Sequence, residues 1–217
     1  MSYYEVSEEL DKFTNTTTIR MNRSFEDLGA RSGYSFFGVS LSLWSVQSSG
    51  KTDSIFIKYY NRETDLIGGY SGTEGKNMII RINDNENISL PFGSEDCSVS
   101  KKFNEVRQMY YNEYRVYNSV EINKMILEKI CNATSIEFSF PCGEYTTSRL
   151  SAERLQGFIN YCRIFYNGLY NEDKYQVDKE IKMPSKPKLS ISYIIKLIIA
   201  LSVSLFIPVT FVISCIS

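Results

Sequence analysis

The sequence predicts an α+β fold: a largely antiparallel sheet with two amphipathic helices in the C-terminal half, followed by a single C-terminal transmembrane helix. Strand-like alternation dominates the first half of the chain, and clear helical spacing is found only beyond residue 118. This order favours helices on one face of an antiparallel sheet. We expect a soluble α+β domain over 1–173, a basic, Pro-containing linker over 174–190 and a membrane anchor over 191–217.

The first predicted elements are strands. Residues 2–25 alternate loosely and predict one or two short strands. Between Tyr34 and Val46 the alternation is clear and predicts a strand with one buried face, which the turn residues at 48–50 interrupt. The alternation then resumes, so the two stretches together predict a hairpin. Its apolar positions are Phe37, Val39, Leu41, Leu43, Ile55, Ile57 and Tyr59.

A second hairpin is predicted after a glycine-rich loop over 68–75. The apolar stretches 78–82 and 88–90 flank a turn rich in Asn and Asp, which are common turn residues. Residues 101–118 are ambiguous, because their apolar positions fit either a helical stripe or a strand. We favour a strand near 113–118.

Two amphipathic helices are predicted next. Asn118 and Glu121 have the spacing of a capping box, and Asn132 would end the helix that follows them. Residues 134–140 alternate as a strand, and Ser151 is placed to cap the second helix. The apolar stripe of the first helix is Ile122, Met125, Ile126 and Ile130; that of the second is Leu155, Phe158, Ile159, Cys162, Tyr166 and Leu169.

The tail is predicted to span a membrane. Residues 197–216 form a run of 20 residues without a charge, of which 13 are Leu, Ile, Val or Phe. A helix of this length is roughly 30 Å long, which matches the hydrocarbon thickness of a bilayer. The alternative, a core helix of a soluble domain, is usually shorter. The span residues are Leu197, Ile198, Ile199, Leu201, Leu205, Phe206, Ile207, Phe211 and Ile213.

Lysines on one side of this run predict its orientation. Positively charged flanks stay in the cytoplasm, so we expect a single-pass protein with its N-terminal domain in the cytoplasm. The acidic N-terminus lacks the apolar core of a signal peptide, so the arrangement resembles that of a tail-anchored protein. The lysines can also hold anionic head groups, or serve only as a topology signal. The membrane-proximal basic residues are Lys182, Lys186, Lys188 and Lys196.

Composition excludes several functions. The chain contains no histidine, which excludes Ser-His-Asp and Cys-His catalysis and imidazole metal ligands. Residues 1–176 carry 19 basic and 23 acidic side chains, so the domain has no general attraction for nucleic acid. In a cytoplasmic domain the cysteines at 97, 131, 142 and 162 are expected to be reduced and buried.

Three motifs have a functional and a structural interpretation. Gly50-Lys51-Thr52 resembles the end of a phosphate-binding loop, but a strand follows it, which favours a hairpin turn. Asp84 and Glu86 superficially resemble a calcium loop, yet the required glycine is missing, which favours a polar turn. The last motif is a group of tyrosines and arginines that can stack on single-stranded nucleic acid, but we favour the interpretation that it forms a packed aromatic face of a sheet. It comprises Tyr110, Tyr111, Tyr114 and Tyr117 with Arg107 and Arg115.

The sequence therefore favours a non-enzymatic, membrane-tethered binding or interaction module whose ligand it does not identify. Expected partners are the lipid bilayer and either a protein or further copies of the chain, without nucleic acid or cofactor. One alternative is a membrane effector whose domain senses a signal and whose tail helices, bearing Ser202, Pro208 and Thr210, associate to perturb the membrane. Another is a histidine-independent enzyme that uses carboxylates or lysine.

Overall fold

The computed structural model describes most of the expected α+β domain. The predicted span and its basic flank, residues 182–216, lie outside the described residues, as do Phe37, Cys142 and Cys215. The described residues are 4–25, 31–32, 35–36, 39–48, 51–65, 70, 72–141 and 146–178.

Within these ranges the strands are β1 (Val6–Asp11), β2 (Thr16–Met21), β3 (Arg31–Ser32), β4 (Ser35–Phe36), β5 (Ser40–Ser48), β6 (Lys51–Thr64), β7 (Asn77–Ile82), β8 (Glu86–Pro91), β9 (Asp96–Asn104), β10 (Met109–Ile122), β11 (Ile136–Phe140) and β12 (Thr146–Arg149). The helices are α1 (Lys124–Cys131) and α2 (Ala152–Tyr170).

The strands build antiparallel sheets. A six-stranded sheet has the order β1-β2-β5-β6-β10-β9, a four-stranded sheet has the order β12-β11-β7-β8, and β3 pairs with β4. Every strand pair in these sheets is antiparallel. With α1 and α2, this architecture confirms the predicted α+β class and its largely antiparallel sheet.

The ambiguous stretch 101–118 is extended, which confirms the favoured strand and shows that it is longer than predicted. Residues 101–104 end β9, and β10 then runs from Met109 to Ile122. The predicted cap of the first helix is wrong, because Asn118 lies within β10 and pairs with Tyr59. Asn123 caps α1 instead, with its side chain accepting a hydrogen bond from the Ile126 N–H at 2.9 Å. Pairing with β6 holds the chain extended through Ile122.

The core lies between one face of the six-stranded sheet and a second layer made by the four-stranded sheet and α2. The ring of Tyr59 on β6 lies 5.2 Å from that of Phe92 and 5.6 Å from that of Phe140 on β11. Phe158 on α2 contacts Phe25 at 5.2 Å and Phe138 at 5.5 Å. These edge-to-face and tilted ring contacts link the layers. The whole predicted stripe of α2 is buried: Leu155, Phe158, Ile159, Cys162, Tyr166 and Leu169.

Both ends of α2 are well defined. Ser151 occupies the N-cap position as predicted, although its side chain makes no capping hydrogen bond. Asn171 adopts a left-handed conformation with φ of 51° and ends the helix. Near this end a Cβ at Gly168 would lie 2.7 Å from Cγ2 of Val6. The glycine therefore allows β1 to approach the helix closely.

The residues after α2 return along the helix. Lys174 Nζ donates to Glu128 Oε1 on α1 at 2.7 Å. Asn160 exchanges two hydrogen bonds of 2.8 Å with the backbone of Asp178. Hydrogen bonds from Lys174 and Tyr166 lower the pKa of Glu128, and the hydrogen bond to Glu128 raises the pKa of Lys174. Residues 174–178, the first part of the segment that we interpreted as a linker, therefore contact the helices.

Tyr161 of α2 fills a gap in the six-stranded sheet. The regular pairing of β2 with β5 ends where Arg20 faces Trp44, and the next contact is the bridge between Phe25 and Leu41. Between these points the Leu43 N–H donates to the Tyr161 hydroxyl at 3.3 Å. The hydroxyl itself donates to the Arg23 carbonyl at 2.9 Å. Burial raises the pKa of this hydroxyl, so it remains a donor across the physiological range.

We predict that Tyr161→Phe lowers the free energy of unfolding by about 1–3 kcal/mol, because the buried Leu43 N–H loses its acceptor and the Arg23 carbonyl loses a donor. Urea denaturation of the two proteins measures the difference. Tyr170→Phe is the matched control on the same helix and should change stability by less than about 0.5 kcal/mol. Equal effects of the two substitutions would show that the hydroxyl of Tyr161 does not close the gap.

Candidate functional site

The second face of the six-stranded sheet is solvent-accessible over its central strands. Directly paired residues of antiparallel strands project to the same side, so the register defines the two faces. Tyr60 faces Tyr117, Lys58 faces Ser119, and Phe56 faces Trp44. These side chains alternate with the buried residues of the same strands. We call this side of the sheet the open face.

Aromatic rings and one lysine form its centre. The rings of Trp44 and Phe56 stack at 4.6 Å with an angle of 23° between their planes. Lys58 Nζ lies 4.9 Å from the Trp44 centroid, within range of a cation–π interaction. Tyr60 and Tyr117 form a tilted pair at 4.9 Å. The indole N–H of Trp44 has no hydrogen-bond partner among the described residues.

A shallow groove of about 760 Å³ runs across the open face beside these rings. Hydroxyl and phenol groups dominate its lining, so it is rich in groups that both donate and accept hydrogen bonds. Its charged side chains are Arg20, Lys58 and a single carboxylate, Asp96. The remaining lining residues are Ser24, Ser40, Ser42, Tyr60, Ser94, Tyr117 and Ser119, together with the buried residues Tyr59 and Asn118, which project to the core side of the sheet.

A buried hydrogen-bond network holds the wall of the groove at Ser94. Asn118 on β10 donates to the Thr73 hydroxyl at 2.6 Å and to the Gly93 carbonyl at 3.2 Å. The Thr73 hydroxyl donates in turn to Glu95 at 2.6 Å. Thr73 and Asn118 are both buried, so each bond lies in surroundings where an unpaired polar group is costly. The network fixes residues 93–95 against β10.

An ion-paired carboxylate marks the end of the open face near the last residues of β6. Arg62 and Arg115 face each other across β6 and β10, where their like charges repel. Glu113 forms ion pairs with both guanidinium groups, and its side chain is 1 % exposed. A buried carboxylate stabilised in this way balances charge within the sheet. Its partners leave it poorly placed to act on a ligand.

The acidic residues of the turn over 83–85 and of the first position of β8 are also ion-paired. Asp84 contacts Arg149 at 2.8 Å, and Glu86 contacts Lys129 at 2.5 Å. No cluster of three potential metal ligands occurs among the residues that the structure describes. Asp84 has a φ of 61° and lies in the turn between β7 and β8, as the polar-turn interpretation predicts.

The other two predicted motifs have different outcomes. Lys51 and Thr52 lie in β6, which continues the hairpin from β5 and confirms the hairpin interpretation. The packed aromatic face is wrong for Tyr110 and Tyr117, which are 63 % and 45 % exposed. Tyr117 points to the open face, whereas Tyr114 points to the other side and stacks on Tyr70 at 5.0 Å. Odd and even spacing along β10 explains the difference.

Free thiols occur at three described positions. Cys131 and Cys162 are buried, as predicted, whereas Cys97 on β9 is only half-buried. Burial raises the pKa of Cys131 to about 12. Nearby Glu95 adds to the effect of burial in raising the pKa of Cys97. All three thiols are therefore weak nucleophiles near neutral pH.

Trp44, Phe56, Lys58 and Tyr60 were not among the site residues predicted from the sequence. These four residues occupy the outward-facing positions of the same alternating pattern that predicted β5 and β6. The buried positions of those strands were recognised from their apolar character, and the intervening positions were interpreted only as the solvent side. Only the pairing register of β5, β6 and β10 shows that Trp44 lies opposite Phe56 and that Tyr60 lies opposite Tyr117.

No family model, no curated protein and no solved structure matches this chain. Among the described residues no helix is long and apolar enough to cross a membrane. The 20-residue run that predicted a span lies beyond them.

We predict that Thr73→Val destabilises the domain by about 1–3 kcal/mol, because Glu95 loses a donor and Asn118 loses an acceptor inside the protein. Chemical denaturation measures the change. Thr147→Val, at an exposed position of β12, is the control and should alter stability by less than about 0.5 kcal/mol. Indistinguishable midpoints for Thr73→Val and the wild type would contradict the role given to the network.

Proposed function

We propose that this protein is a membrane-tethered binding module that engages a protein partner through the groove on its open face. The observation that carries the proposal is the pairing of aromatic rings with a hydroxyl-rich groove on an accessible sheet face. Trp44 and Phe56 form one ring pair, and Tyr60 and Tyr117 form the other. The C-terminal segment would hold this module at the cytoplasmic side of a membrane.

The chemistry of the groove suits a polypeptide. Tyr and Trp provide large, rigid contact areas at low entropic cost, and Ser and Asn provide adaptable hydrogen bonds. Rings that are only partly exposed can bury further apolar area when a partner covers them.

Two features favour a protein over a small molecule or a substrate. Small-molecule sites are concave and enclose most of the ligand, whereas this groove is shallow and open along the sheet. Its lining holds one carboxylate, Asp96, so it lacks the convergent acids that a histidine-independent hydrolase needs. Lys58 already lies over the ring of Trp44.

The tether rests on the sequence. Thirteen apolar residues within a 20-residue uncharged run favour insertion by about 0.3–0.6 kcal/mol each near the bilayer centre. The lysines that precede the run would remain in the cytoplasm. This arrangement would restrict the module and its partner to one membrane surface.

Site-specific photocrosslinking tests the groove. We would place p-benzoylphenylalanine at Tyr117 in the full chain and irradiate living cells that express it. A discrete crosslinked protein adduct is expected, since Tyr117 lines the groove and is 45 % exposed. The matched position is Met125 on α1, which is 58 % exposed but lies outside the groove and should give no such adduct.

A second substitution makes the crosslink specific. Tyr60→Ala removes the ring that pairs with Tyr117, and loss of an aromatic anchor costs about 1–2 kcal/mol or more of binding energy. The adduct should therefore fall about tenfold. Equal adducts at 117 and 125, or an adduct that Tyr60→Ala leaves unchanged, would contradict the proposed binding face.

The same cells test the tether. After extraction with alkaline carbonate, the full chain should remain in the membrane pellet and be released only by detergent. Release by carbonate alone would contradict the tether, whereas the crosslinking result would still decide the role of the groove.

A further inference from the structure

The hairpin of β9 and β10 extends beyond the six-stranded sheet. Pairing of β6 with β10 ends where Thr64 faces Glu113, but β9 and β10 remain paired until Asn104 faces Met109. The four residue steps from Glu113 to Met109 span roughly 14 Å at about 3.4 Å per residue. Residues 101–112 lie beyond the last residue of β10 that pairs with β6, and we call them the ribbon.

The base and the tip of the ribbon are both held by hydrogen bonds. At its base the Asp65 carboxylate accepts from the backbone and the side-chain amide of Asn112, each at 2.8 Å. At its tip the Arg107 N–H donates to the Asn104 side chain at 3.0 Å. Gln108 adopts a left-handed conformation with φ of 51°, which closes the turn. The ribbon is therefore an ordered projection.

Large apolar side chains on the ribbon are exposed. Val106 at the tip is 94 % exposed, and the adjacent rings of Phe103 and Tyr110 contact each other at 5.0 Å. Met109 is exposed as well, on the opposite face of the ribbon from Phe103 and Tyr110. Isolated exposed apolar residues are ordinary on protein surfaces, but several exposed apolar side chains near one projecting tip indicate an interaction site.

Positive charge surrounds this apolar tip. Lys101, Lys102 and Arg107 lie within the ribbon beside a single acid, Glu105, although residues 1–176 as a whole carry more acidic than basic side chains. Lys101 Nζ lies 4.8 Å over the ring of Tyr110. Apolar side chains rimmed by lysine and arginine, with a tyrosine at their border, suit the interface of a bilayer that contains anionic lipid.

We infer that the ribbon inserts its tip into the interfacial layer of an anionic membrane and forms a second membrane contact of the domain. Interfacial segments bury their apolar face roughly 5–10 Å deep, which is within the reach of the ribbon. Each basic residue of the ribbon is attracted to an anionic membrane surface in the same way as the lysines of polybasic membrane-binding segments. The inference gains support from the proposed tether, which would keep the domain close to lipid.

The same residues disfavour pairing with a second copy through β9. Lys101 and Lys102 lie in the middle of this edge strand, and lysines at such positions oppose strand addition. Because β9 is also the last strand of its sheet, an incoming strand would have to align its own charges against them. A lipid surface meets both the apolar and the basic side chains without that conflict.

Fluorescence in lipid nanodiscs tests the insertion. We would introduce an environment-sensitive fluorescent amino acid at Val106 of the full chain and reconstitute it into discs of phosphatidylcholine with or without phosphatidylserine. The matched probe position is Phe13, an equally exposed apolar residue in the turn between β1 and β2. That turn lies at the opposite end of the sheet, because Thr16 pairs with Ser48 at the end of β5, and Ser48 also pairs with Lys51 at the start of β6.

The probe at 106 should shift to the blue in discs with phosphatidylserine and be quenched by nitroxide-labelled lipid several-fold more strongly than the probe at 13. A variant that combines Lys101→Glu, Lys102→Glu and Arg107→Glu should show no stronger quenching at 106 than at 13. Absence of quenching at 106, equal quenching at 13, or a blue shift that follows protein concentration and persists without lipid would overturn the inference. The last outcome would identify another copy of the chain as the occupant.

Failure of the tether gives a different result. A chain without a membrane span would not stay with the discs, and the probe at 106 would then be read after adding the chain to vesicles of the same two compositions. Anionic-lipid-dependent quenching there would support the ribbon while contradicting the tether. Its absence would overturn the ribbon whether or not the tether holds.

Discussion

The alternation of side chains along β5, β6 and β10 is the constraint on which this structure depends. Leu43, Ile57 and Val120 project into the core, and the residues between them project outward. A slip of one residue in either pairing would exchange the two sets and place Trp44 and Tyr60 among the core residues. The register therefore decides both what stabilises the sheet and what it presents to a partner.

Polar groups stabilise the places where this regular pairing stops. Tyr161 satisfies the Leu43 N–H where β2 and β5 separate, and Thr73 connects Asn118 with Glu95 beside the groove. Such groups are costly to bury without partners, so they tie a helix or a loop to one position on the sheet. Both contacts fix the position of backbone that borders the open face and its groove.

Patterns between near neighbours in the chain predicted much of the fold. The hairpins of β5 with β6 and of β7 with β8, and the buried stripe of α2, follow from local periodicity. The short strand β12 and the largely polar strand β9 carry no strong periodic signal. Asn118 shows more clearly where prediction from local patterns fails. Its helix-capping pattern is overridden because it pairs with a strand about 60 residues earlier in the chain. The open face required the same long-range register, which no local pattern specifies.

Hydroxyl-radical footprinting of the full chain tests the division into two faces most directly, because Tyr59 and Tyr60 are adjacent in sequence but project to opposite sides. We expect rapid oxidation of Tyr60 and Tyr117 and strong protection of Tyr59 and Tyr161. Protection of all four tyrosines would mean that the groove is covered in the full chain. Oxidation of Tyr59 with protection of Tyr60 would contradict the register itself.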